Sequence, residues 1–133
     1  MSITAYRAAL RSTEAPRSVE RRVLLSNAAG LARHADAYDA ATKRERIAIL
    51  HDGLRTAVAD TQALWAALRH DLSDRGNGLP PDLRAALLSL CGWVRTETDA
   101  ILAGEGAVAP LVEVNRSLAD GLRASPAEAM ACP

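Results

Sequence analysis

Residues 64–74 read LWAALRHDLSD, 75–81 RGNGLPP, 82–106 DLRAALLSLCGWVRTETDAILAGEG and 107–122 AVAPLVEVNRSLADGL. Three apolar segments with helical spacing are held apart by two short loops. The break at Asp74–Asp82 is the firmest in the chain. Gly76, Asn77 and Gly78 tolerate positive φ, Pro80 pushes Leu79 extended, and the paired prolines preset the next helix start. Asp82 then falls in a first helical turn, where a negative charge suits the helix dipole. The helix it opens is expected to run from Pro81 to about Ala103. It presents Leu83, Leu87, Leu90, Trp93 or Val94, and Ile101, with Leu88 and Cys91 widening the face, as for an element packed on more than one side. Gly92 either admits a close neighbouring backbone or is merely tolerated. Gly104 is a natural helix terminator. Pro110 begins the last helix, whose stripe is Leu111, Val114, Leu118 and Leu122. Asn115 lies beside that stripe, where a buried amide satisfies loop backbone or fixes helix register, with partner contact as the alternative. Arg116 points toward the rim and can snorkel over apolar surface or pair with a partner.

Working back toward the N-terminus, Thr42-Lys43-Arg44-Glu45 is a capping-box pattern in which hydroxyl and carboxylate satisfy each other's backbone amides. It predicts the longest helix, Lys43 to about Leu72, with the face Ile47, Leu50, Leu54, Ala57 or Val58, Thr61, Leu64 or Trp65, Leu68 and Leu72. Steps of three and four residues favour near-antiparallel bundle neighbours. Thr61 is the polar member, and its hydroxyl can bond back to its own helix. Pro16 is expected to open an earlier helix reaching about Tyr38, with Val19, Val23, Leu24, Leu31, Ala35 and Tyr38 as its stripe. Gly30 weakens its middle by roughly 1 kcal/mol. A short helix over 2–12, capped by Ser2, places Ile3, Tyr6 and Leu10 along one side. The reading is an all-α fold, a small antiparallel bundle of about four principal helices with this short N-terminal one added. Residues 1–122 form the single bundle domain, and 123–133, RASPAEAMACP, form an Ala-rich tail expected to be disordered.

Composition bounds the function. At 133 residues the chain suits one domain with a single modest core. Hydrophobic residues make up 49%, yet there is no Phe and aromatics are only 3%, so Leu, Val, Ile, Ala and two tryptophans must build that core. Such side chains suit closely packed helices. Sixteen basic residues balance sixteen acidic ones, which gives no bulk electrostatic attraction to nucleic acid or an anionic membrane. No aromatic cluster offers base stacking, so direct nucleic-acid binding is not expected. No apolar run has the length of a membrane span or a signal-peptide core, which points to the cytoplasm. Cys91, in an apolar helix, and Cys132, beside the terminus, are poor disulfide partners, and a reducing compartment fits them. Cys91 reads as a small core residue. His34, His51 and His70 are dispersed, without metal-ligand spacing. No signature sets a nucleophile beside a base, and the Gly-rich turn lacks the phosphate-loop spacing and its lysine. Carboxylates alternate with arginines as on solvated helix faces. The expectation is a protein that is not an enzyme and uses no metal or cofactor.

One set of residues is more specific. Leu64-Trp65, Asp71 before the Gly/Asn turn, Leu79-Pro80, Leu83-Arg84-Ala85, Trp93-Val94, Gly104 and Val114-Asn115-Arg116 resemble, in order and spacing, the flagellar biosynthesis regulator FlaF family. The similarity is clear over about residues 64 to 122 and weaker before them. Where the family leads one to expect an Asn-Arg pair, this chain has Thr61-Gln62. The resemblance implies a cytoplasmic bundle associated with flagellin synthesis and secretion. Its partners would be flagellin and the FlbT regulator, which affects flagellin translation. Two readings follow. One is a chaperone-like flagellin-binding regulator that covers an apolar helical segment of unassembled flagellin. The other is a post-transcriptional regulator of flagellin expression acting with FlbT. A bundle of this kind binds by offering a groove or helix face to a partner helix. The residues expected to make that contact are Trp65, Leu68, Trp93, Asn115, Arg116 and Leu118. An exposed apolar patch of a few hundred Å² is its expected trace.

Overall fold

Helix α1 (Glu14–Ala40) opens the computed structural model, which describes residues 14–123. Helix α2 (Lys43–Ile49), a wide turn (Leu50–Leu54), α3 (Arg55–Ser73), α4 (Pro81–Leu102) and α5 (Ala109–Arg123) follow. The expected N-terminal helix and the tail beyond Arg123 lie outside the described residues. Within them the fold is all-α with no strand.

Two antiparallel pairs make the bundle. Helix α1 packs chiefly on α5, and α3 on α4, with α1 also crossing α3. Helix α1 buries Leu24, Asn27, Ala28, Leu31, Ala35 and Tyr38, a three-four stripe that meets Leu111, Val112, Asn115 and Ala119 in a single core. Gly30 sits at the crossing with α3, where a Cβ would lie 3.5 Å from Ala57 Cβ. Val23 and Ile47, both expected on buried stripes, are exposed instead. Leu24 and Leu50, on the same expected stripes, are buried as read, since helical spacing alone locates a stripe only to within about one position.

The Thr42 capping box forms as read: Glu45 N donates to Thr42 Oγ1 at 3.3 Å, and Thr42 N to Glu45 Oε1 at 2.8 Å. These bonds hold the exposed Glu45 carboxyl below its ordinary pKa. The single long helix expected from Lys43 to Leu72 does not form. It breaks at Asp52 (φ −89°, ψ 20°) and Gly53 (φ 118°, ψ −20°), and the Arg55 amide reaches back to Leu50 O across the wide turn. The break keeps Leu50 and Leu54 in the core together with Val58, Thr61 and Trp65. Only glycine adopts that φ without strain. Gly53→Ala is expected to lower stability by about 1–3 kcal/mol, read from urea unfolding. A rise in the midpoint would show that the bend straightens at no cost.

The α3–α4 loop turns by side-chain bonds. Gly76 N donates to Asp74 Oδ1 and Leu79 N to Asn77 Oδ1, both at 3.0 Å, while positive φ occurs at Gly53, Gly104 and Gly106 and not at Gly76 or Gly78. Asx bonding supplies the turn the glycines were expected to supply. Arg84 Nε donates to Leu72 O at 2.6 Å and covers the end of α3.

The α4–α5 loop is pinned from α1 and α2. Buried Tyr38 places its hydroxyl 2.9 Å from Ile101 O and 2.6 Å from Glu105 O. The Arg46 guanidinium lies 4.3 Å above the Tyr38 ring and donates to Tyr38 O at 2.9 Å and Gly104 O at 3.3 Å. Asp39 accepts from the Val108 and Ala109 amides at 2.7 and 3.0 Å, capping α5 from a different helix. Gly104 ends α4 as expected, at φ 85°.

Candidate partner-binding groove

Helices α3 and α4 run antiparallel, and Gln62 Nε2 ties them by donating to Thr98 Oγ1 at 3.0 Å and Asp99 Oδ1 at 2.8 Å. Thr61, beside it, is buried and donates to Ala57 O at 2.9 Å, the bond to its own helix foreseen for it. Of the two residues standing where Asn-Arg was expected, Gln62 therefore ties α3 to α4 and Thr61 closes on its own helix.

Between the two helices lies a groove of about 640 Å³. Trp65, Cys91 and Val94 are its buried floor. Ala59, Ala63 and Ala66 line the α3 wall, exposed and small. Arg69, His70 and Ser73 continue that wall toward the loop, and Arg95 and Asp99 stand on α4. Burial pushes the Cys91 thiol above its ordinary pKa, which the nearby Arg69 charge partly opposes. A protonated buried thiol is a packing group rather than a nucleophile. Among the described residues no three His, Cys, Asp or Glu side chains converge as metal ligands.

Of the six residues expected at a contact, the structure brings two together. Trp65, 3% exposed, donates its indole N–H to Asn115 Oδ1 at 2.8 Å, and Asn115 is fully buried behind the groove floor. Asn115 Nδ2 has no hydrogen-bond partner among the described residues. Trp93 is 37% exposed and lies outside the groove lining. Leu68 is half-buried on α3, while Arg116 (exposed) and Leu118 (half-buried) belong to α5. Only Trp65 lines the groove. The alanines at 59, 63 and 66 were legible as a helical repeat, but alanine alone does not distinguish an accepting surface from a filled one. Arg69, Arg95 and Asp99 read as solvated charges, and their convergence depends on α3–α4 register.

The α3–α4 hairpin of this small helical bundle thus presents an open groove, alanine-walled and floored by apolar side chains. A family model described as flagellar protein FlaF matches residues 2–122, and the chain belongs to that family. No curated protein and no solved structure matches it. It is a flagellar protein, and among the described residues no helix is long and apolar enough to cross a membrane.

Proposed function

We propose that this chain is a chaperone-like flagellin-binding regulator of flagellum biogenesis, acting in the cytoplasm by binding rather than catalysis. It supports flagellin synthesis and secretion by covering an apolar helical segment of unassembled flagellin. The observation that carries this reading is the α3–α4 groove. Its α3 wall runs from Ala59 to Ser73, about four helical turns or roughly 21 Å. Alanine walls let a guest helix approach closely, and Trp65, Cys91 and Val94 give it an apolar floor. Amphipathic flagellin termini are the natural guests, since their apolar faces are unpartnered before assembly. FlaF membership agrees with this guest, and equally with a regulator that works through FlbT.

The test mixes the purified protein with monomeric flagellin and, separately, with flagellin mRNA. Micromolar or tighter flagellin binding, lost when the flagellin terminal helices are removed, is the expected result. Binding to mRNA alone, falling steeply with salt, would replace this reading by post-transcriptional control.

A further inference from the structure

The groove is not electrically uniform. Gln62 bonds Thr98 and Asp99, so that end carries an amide and a carboxylate already engaged with each other. Counting back along antiparallel helices from this pairing, Arg95 comes level with Trp65–Ala66. Arg69 and His70 lie farther along, toward the Asp74–Pro80 loop. Arg69 makes no ion pair among the described residues, and Arg95 reaches Asp99 only at 4.0 Å with both side chains largely exposed. A chain with no net charge therefore places Arg95 midway along one apolar groove and Arg69 and His70 toward its loop end, with Asp99 at the other end.

We infer that the groove selects an amphipathic helix of about four turns whose apolar seam is flanked by carboxylates where it passes Arg95 and Arg69. This inference rests on the flagellin-binding reading and names the chemistry of the segment held. The exposed alanine walls supply burial without sequence preference over a floor that is already closed, so any amphipathic helix would gain from them. Arg69 and Arg95, one on each wall, add the discrimination. A guest with carboxylates beside its seam gains two charge pairs at the rim, and a guest with lysines there is repelled. His70 adds a further hydrogen-bond donor on the same side.

The full chain is titrated with monomeric flagellin at low and high salt. Four proteins are compared: wild type, Arg69→Glu/Arg95→Glu, Ala63→Trp, and Arg75→Glu as a loop charge outside the groove lining. Circular dichroism melting confirms that each is folded, and Arg69→Ala/Arg95→Ala stands in if the double reversal is not. The expected result is that Ala63→Trp, which fills the groove, abolishes binding. The double reversal weakens binding roughly tenfold at low salt, with the gap narrowing at high salt, and Arg75→Glu stays near wild type. Loss with Ala63→Trp but wild-type affinity in the double reversal would overturn the charge selection while leaving flagellin as guest. Wild-type affinity in Ala63→Trp would overturn the groove itself. A wild-type protein that does not bind flagellin would overturn the functional reading, and this inference with it.

Discussion

Truncating Trp65 to Ala is expected to destabilise the bundle by about 3–5 kcal/mol, the range for emptying a large aromatic site in a core. A domain of this size has only about 5–15 kcal/mol in total, so the variant is expected to unfold at a much lower temperature. The loss has two parts. One is packing, because Trp65 is 3% exposed and joins the main core. The other is the 2.8 Å bond from its indole to Asn115. The parts separate in a double-mutant cycle measured by urea unfolding. Trp65→Phe keeps most of the ring but leaves Asn115 Oδ1 without its donor. Asn115→Ala leaves the buried indole N–H without its acceptor. Each single change is expected to cost about 1–3 kcal/mol, the desolvation penalty of one orphaned group. The double variant should cost about 1 kcal/mol less than their sum, because both orphans are then gone. Strict additivity would mean that the bond contributes no coupling and that Asn115 is tolerated rather than required.

The second large effect is expected at Tyr38. Tyr38→Ala should cost about 3–5 kcal/mol, since the ring is buried where α1, α2 and the α4–α5 loop meet. Tyr38→Phe isolates the hydroxyl, and its loss from between Ile101 O and Glu105 O should cost about 1–2 kcal/mol. Burial pushes the Tyr38 phenol above its ordinary pKa, against the lowering by Arg46. The sign follows from linkage. A pKa raised by folding gives a contribution that is complete below the unfolded tyrosine pKa and is lost as pH rises through the folded one. Wild type should therefore lose stability on the alkaline side more steeply than Tyr38→Phe. Equal alkaline slopes would show that Tyr38 is not the group responsible.

Much of the fold was legible in local chemistry. The Thr42–Glu45 capping box, Pro81 at the head of α4, and Gly104 at its end are each decided by residues within a few positions. Such signals survive because a cap needs only its own turn. The bend at Gly53 was not legible. A glycine inside a helical pattern is compatible with a straight helix, and φ 118° is settled by keeping Leu50 and Leu54 in one core with α3. The site was less legible still. Trp65 was placed on a contact surface and lies in the groove floor, while Trp93, equally apolar, is on the surface beside Gly92, where a Cβ would meet nothing within 4 Å.

By itself the sequence determined the all-α class, the FlaF membership and the capped helix ends at Thr42, Pro81 and Gly104, because spacing, caps and motif order are properties of neighbours along the chain. The tertiary structure alone decided which of two adjacent apolar residues faces inward, so Val94 is buried and Trp93 is not. It also decided that Asp39 would cap α5, that Trp65 would find Asn115, and that Arg69 and Arg95 would face one groove. Those pairings join residues far apart in the chain. They are set by the rotation and register of whole helices against one another, for which a helical stripe read to within one position carries too little information.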